Sequence, residues 1–220
     1  RELEDKPGIA DLLMQFGWAA MRAGDYDQAA PLLFECLQLF RELGASVQLA
    51  NALGGSGELA IRQGAHAQAT NLLEESLALR RELGDLWGIA GALGSLGWVA
   101  LLQRDFSQMK KLLGESLAIR LDLGERGGLA WCLEKLAEAI VVQAQPLPVQ
   151  RRRQEFKRAV RVLGTAQALR QSVNSVIDPA DQLAYDHLLV SLRDTLGEAL
   201  FNEAQAAGMA LPVQAAVDLA

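Results

Sequence analysis

Cysteine, histidine and tyrosine are scarce, with two of each among 220 residues. His66 and His187 alone cannot build a His cluster for a metal or serve a catalytic triad, and no Cys or His spacing matches a zinc site. Long apolar runs are missing as well. Stretches such as 96–102 fall well short of the roughly 20 residues that span a bilayer. No secretory signal pattern opens the sequence, so a soluble, cytoplasmic segment is expected. Cations are not in excess either: a net charge of -6 and a pI near 5.0 argue against nucleic acid as the main partner of this segment, because backbone binding needs clustered positive charge. What is abundant is apolar surface. Half of the residues are hydrophobic and 22% are charged, the composition of a folded chain with an extended core.

That apolar surface recurs with a period of 40 residues. The stretch 85–124 holds an apolar helical run around Ala92, Leu93, Leu96, Gly97 and Ala100, a turn at Arg104-Asp105-Phe106, and a second helical run that stops at Gly124. One period earlier stand Gly57, Ala60, Leu72-Leu73 and Gly84; one earlier still, Gly17, Ala20, Leu32-Leu33 and Gly44. One helical hairpin cannot bury its apolar face alone, so self-similarity at this period predicts stacked hairpins, a solenoid. Cys36 and Cys132 lie in apolar helices of non-adjacent repeats. They are expected to be too far apart to bridge and to act as small apolar fillers in a reducing compartment.

Taken in order, residues 1–6 align with the end of a second helix, since Arg1-Glu2-Leu3 repeats Arg41-Glu42-Leu43 and Arg81-Glu82-Leu83. The expectation is a truncated upstream hairpin, with an exposed apolar edge at Leu12, Leu13 and Phe16 that could drive self-association. Hairpins follow at 7–44, 45–84, 85–124 and 125–172, and a helical cap at 173–220. At the first turn Gly24 can end one helix in the left-handed conformation and Asp25 can cap the next. The fourth hairpin has a longer link, because Gln145-Pro146-Leu147-Pro148 cannot continue a helix, and its second helix is expected over about 152–171. In the cap, Asp178-Pro179 starts a helix running to Leu196, and a shorter one is expected from Glu198 to Ala207, ending at Gly208.

These hairpins resemble tetratricopeptide repeats. Leu13, Phe16, Gly17, Ala20, Ala29, Leu33 and Cys36 stand at the signature spacing, and so do Leu53, Ser56, Gly57, Ala60, Ala69, Leu73 and Ser76. Leu93, Leu96, Gly97, Ala100, Leu113 and Ser116 do the same, with Met109 in place of the usual alanine. Gly17, Gly57 and Gly97 should let each first helix approach its partner. The period of 40 exceeds the commoner 34 or so of that family and lengthens the second helix. The resemblance implies an all-α, right-handed α-α superhelix with C-terminal capping helices. The end of the chain, from Ala159 through Tyr185 to Leu211, is similar to the C-terminal region of large bacterial LuxR-type or SARP-type ATP-binding transcriptional regulators. This implies a sensor or interaction arm whose nucleotide-binding and DNA-binding parts lie elsewhere; the 220 residues contain neither a P-loop nor a recognisable helix-turn-helix.

In such repeats the concave groove takes its side chains from the first helices. The corresponding positions are Asp11, Met14, Trp18, Met21 and Arg22; Asn51, Gly54, Glu58, Ile61 and Arg62; Gly91, Gly94, Trp98, Leu101 and Leu102; and Trp131, Glu134, Glu138, Val141 and Val142. This set lacks the Lys/Asn clamp with which chaperone-binding members hold a peptide's terminal carboxylate. Glycine inside a helix costs roughly 1 kcal/mol against alanine, so Gly54, Gly91 and Gly94 need a reason. They either relieve crowding between hairpins whose tryptophans pack together, or leave hollows beside Trp18 and Trp98 for a helix, an extended peptide or a small-molecule effector. Acid pairs such as Glu74-Glu75 and Glu134/Glu138 have the spacing of solvated helix faces. The run Arg151-Arg152-Arg153 with Lys157, Arg158 and Arg161 reads as a charged helix start, and only Phe156 is near for base stacking.

The sequence thus describes a non-enzymatic interaction or effector-sensing module without metal or cofactor, part of a larger regulator. The competing expectation is a free-standing scaffold that assembles several proteins.

Overall fold

The computed structural model describes residues 5–220; Arg1-Glu2-Leu3 and the truncated hairpin assigned to it lie outside the described residues. Among the described residues every regular element is a helix. The order is α1 (Lys6–Arg22), α2 (Tyr26–Leu43), α3 (Ser46–Arg62), α4 (His66–Leu83), α5 (Leu86–Leu102), α6 (Phe106–Leu123), α7 (Arg126–Ala144), α8 (Val149–Ser172), α9 (Pro179–Leu196), α10 (Glu198–Met209) and α11 (Val213–Leu219). The fold is all-α and built of helical hairpins.

Local chemistry sets the helix ends. Asp25 accepts from the backbone N–H of Gln28 at 3.1 Å, Asp85 from Gly88 at 2.9 Å and Asp105 from Gln108 at 3.0 Å, each supplying an acceptor for a first-turn donor that the helix leaves unpaired. Gly44, Gly84 and Gly124 end the second helices at φ of 64°, 67° and 66°, where a Cβ would crowd the next carbonyl. Arg104 occupies the same conformation, at φ 60°, in the slot that Gly24 and Gly64 fill in the first two hairpins.

The chain forms two compact units. One ends at Leu112 and takes in Asp178–Ala180; the other is Leu113–Ile177 with Asp181–Ala220. In the first unit α1 packs on α2, α3 on α4, and each hairpin on the next through α2 with α3 and α4 with α5. A Cβ on Gly17 would stand 2.8 Å from the Leu33 side chain, and one on Gly57 would stand 2.7 Å from that of Leu73. These glycines set the helix separation. The core here includes Ala10, Cys36, Leu37, Phe40, Ala52 and Leu53.

In the second unit α7 pairs with α8, and α8 carries α10 and α11. α8 begins at Val149, three residues before the expected start, because Pro148 serves as its N-cap. α10 runs through Gly208 instead of ending there. A side chain on Gly208 would collide with the Arg161 carbonyl, and the Thr165 hydroxyl donates to the Gly208 carbonyl at 2.7 Å. This glycine permits close approach to α8 and terminates nothing.

Candidate functional site

In the first unit, a cavity of about 520 Å³ opens beside Trp18. It is lined by Gln15, Trp18, Ala19, Met21 and Arg22 of α1, Asn51, Gly54, Gly55 and Glu58 of α3, Arg80 of α4, and Asp178. Trp18 is half-buried and lies over Gly55, where its indole nitrogen fills the space a methyl group would take. The polar rim is held in place: Arg22 Nε meets Asp178 Oδ2 at 3.3 Å, Arg62 Nη2 donates to Glu58 Oε1 at 3.0 Å, and Arg80 Nη2 donates to Asn51 Oδ1 at 2.8 Å. With its carbonyl engaged by Arg80, Asn51 has its amide N–H groups left to donate. Two cations, Arg22 and Arg80, stand against two carboxylates, Glu58 and Asp178. An indole wall with balanced charges suits a polar, electrically neutral segment such as peptide backbone.

In the second unit, a cavity of about 270 Å³ is lined by Trp131, Glu134, Lys135 and Glu138 of α7, Arg170 of α8, Ile177, and Asp181, Ala184, Tyr185, His187 and Leu188 of α9. Arg170 binds Glu134 through two bonds, Nε to Oε1 at 2.6 Å and Nη2 to Oε2 at 2.8 Å. These bonds raise the guanidinium pKa, chiefly through hydrogen bonding to Glu134. Burial, seconded by the Glu134 charge, pushes the Tyr185 phenol up to about 12. Lys135 reaches Glu138 at 3.1 Å and lies 5.9 Å from the centre of the Trp131 ring.

Residues 8–82 match the tetratricopeptide repeat family. The crystal structure of BtubC (BKLC) from P. vanneervenii is similar over 97% of this chain and 84% of that one, with a TM-score of 0.60 and 20% identity; at that identity the likeness shows the fold alone. No curated protein matches the sequence.

Within the tetratricopeptide stretch, the groove positions do not all face one space. Trp18, Met21, Arg22, Asn51 and Glu58 line the first cavity. Met14 is 9% exposed and packs with Cys36, Leu37 and Phe40, so it belongs to the core. Beyond the matched stretch, Leu101 is 3% exposed and is likewise a packing residue. Asp11 is half-buried near Cys36, and its charge adds to burial in raising that thiol's pKa to about 11. Arg62 stacks on Trp98, 5.4 Å from the ring centre, while holding Glu58. Trp131, Glu134 and Glu138 line the second cavity.

The glycine that accommodates Trp18 is Gly55, not Gly91, around which a Cβ would meet nothing within 4 Å. Nor did spacing point to Arg80 and Asp178 as cavity residues. A usable signal did exist for Arg80: Ser76, Arg80, Asp85 and Gly88 recur as Ser116, Arg120, Glu125 and Gly128. In each set the acid caps a first helix and pairs with the arginine, whose guanidinium lies across the glycine.

The basic start of α8 is engaged by the C-terminal helices. Arg153 donates to the Leu196 carbonyl at 3.1 Å, Lys157 pairs with Glu203 at 2.9 Å, and Arg158 donates to the carbonyls of Leu219 and Ala220. Both cysteines are buried and free, and burial raises both thiol pKa values, leaving them unreactive near neutrality. Among the described residues no group of three or more His, Cys, Asp or Glu side chains could hold a metal, and no helix is long and apolar enough to cross a membrane.

Proposed function

We propose that this chain is a non-enzymatic protein-interaction module whose Trp18 cavity receives an extended segment of a protein partner. The supporting observation is the cavity itself: an indole held over a glycine, with space of about 520 Å³ beside it and a rim of charges fixed by partners of opposite sign. Fixed groups lose little entropy when a ligand arrives. A segment bound there would favour whichever arrangement of the hairpins it fits better, and only that difference in affinity could pass a signal to another domain.

A random peptide library selected against the chain tests the reading. Selected peptides should bind Trp18→Ala at least about tenfold more weakly, as expected for loss of an aromatic anchor, while circular dichroism shows the fold intact. Peptides indifferent to Trp18→Ala, or none selected, would sink it.

The similarity of residues 159–211 to the C-terminal region of ATP-binding transcriptional regulators extends the proposal: the module serves as the sensing arm of such a protein. Sequence upstream of the codon for Arg1 tests this. A glycine-rich phosphate loop followed by further hairpins supports the regulator; a start codon one or two hairpins upstream supports the scaffold.

A further inference from the structure

Glycine is unfavourable inside a helix, and Gly54 stands within α3 with no neighbour that demands it. A Cβ at this position would lie 3.6 Å from Ser76 Oγ and 3.7 Å from Arg80 Nη2, ordinary contact distances, whereas one on Gly55 would collide with Trp18 and one on Gly57 with Leu73. Gly54 leaves open a hollow in the Trp18 cavity, beside the guanidinium of Arg80.

The groups around this hollow are donors. Ser76 gives its hydroxyl proton to the Ala50 carbonyl at 2.8 Å and accepts from Arg80 Nε at 3.1 Å. Arg80 Nη1 donates to Asp85 Oδ2 at 2.6 Å, which balances its charge, and Nη2 donates to Asn51 Oδ1 at 2.8 Å while keeping a second N–H. A guanidinium accepts nothing, so the Asn51 atom that faces it must be the oxygen, and the amide N–H groups are left to the cavity that Asn51 lines. Asn51 and Gly54 share one face of α3, a turn apart. At the same register the other first helices carry Asp11, Gly91 and Trp131, so the amide belongs to this hairpin alone.

We propose that the hollow over Gly54 is a carbonyl subsite, in which a main-chain carbonyl of the segment received beside Trp18 accepts from Asn51 Nδ2 and Arg80 Nη2. This rests on the reading of the Trp18 cavity as the site of an extended segment. Donors select an acceptor, and because Asp85 already balances Arg80, a neutral amide oxygen fits where a carboxylate would bring an unpaired charge out of water.

The probe is tetraalanine blocked as its N-acetyl methylamide, followed through the Asn51 side-chain amide and Trp18 indole N–H resonances, assigned with Asn51→Asp and Trp18→Phe. Both should shift saturably with one dissociation constant. Tetraproline blocked as its N-acetyl dimethylamide carries carbonyls, has no N–H and is already extended, and should bind within about threefold of tetraalanine. Asn51→Asp keeps the bond to Arg80 but removes both donors, and should weaken tetraalanine by about tenfold or more. Gly54→Ala fills the hollow without a clash. It should weaken binding as much while the denaturation midpoint holds or rises, since alanine favours the helix; a glycine needed for packing would give a lower midpoint. Peptides selected against the chain separate the two readings: dependence on Trp18 with indifference to Asn51→Asp and Gly54→Ala would leave the interaction module standing and overturn the carbonyl subsite. No saturable shift of the Asn51 amide, or tetraproline failing where tetraalanine binds, would overturn it as well.

Discussion

The indole of Trp18 occupies the space that a methyl group on Gly55 would fill. Ring and glycine together define one wall of the cavity, since a side chain at 55 must push the ring into it. Gly55→Ala is expected to lower stability by about 1–3 kcal/mol through overpacking and to shift the Trp18 fluorescence and indole N–H resonance. Gly91→Ala is the control. Open space surrounds that position, so the gain in helix propensity stands alone, at about 0.5–1 kcal/mol. Denaturant titration of both variants checks the opposite signs.

Arg104 holds a left-handed backbone at φ 60° where the two preceding hairpins place glycine. A side chain in this conformation costs roughly 1–2 kcal/mol. Arg104→Gly should therefore raise the denaturation midpoint, offset in part by the greater freedom glycine has in the unfolded chain. Asp105→Ala, which removes the acceptor for the Gln108 N–H, should lower it by about 1 kcal/mol.

The hairpins were legible because each needs the same small set of residues at the same places. Gly17 and Gly57 sit where helices touch, and Gly44, Gly84 and Gly124 where the backbone turns left-handed. The site was less legible. Register assigns Met14 and Leu101 to the groove, but a helix presents a broad apolar stripe, and which edge of it turns inward depends on how the next hairpin packs. Arg80 and Asp178 reach the Trp18 cavity from other elements, which no period within the first helices reports. Gly208 misled because a glycine near a helix end serves termination and close packing equally well.

Glu134 and Arg170 form a pair whose side chains are 9% and 13% exposed. Removing one partner strands the other charge away from water. Arg170→Met should cost about 3–5 kcal/mol, and Glu134→Leu combined with Arg170→Met should recover much of that loss, since an apolar pair replaces a desolvated ionic one. Thermal unfolding of the two single variants and the double variant closes the cycle. Costs that simply added would mean that the pair is not coupled.

Tyr185 lines the same cavity, and burial moves its phenol from the ordinary value of 10.0 to about 12. The sign follows from the neutral form being the one the folded state favours. Between pH 10 and 12 the unfolded chain has lost this proton while the folded chain retains it, so unfolding releases a proton and stability falls as pH rises. The contribution is present in full below pH 10 and is gone above 12, a loss on the order of 2 kcal/mol. The thiols act in the same direction at lower pH, with Cys36 moving from 9.0 to about 11, so wild-type stability should begin to fall near pH 9. Tyr185→Phe separates the two contributions. It should leave the decline below pH 10 unchanged and flatten the part above it, so that the variant gains on the wild type as pH approaches 12. Urea denaturation at half-unit steps from pH 8 to 12 reads this directly. A difference between the two proteins that stayed constant across that range would mean the phenol titrates alike in both states and is not held neutral by its surroundings.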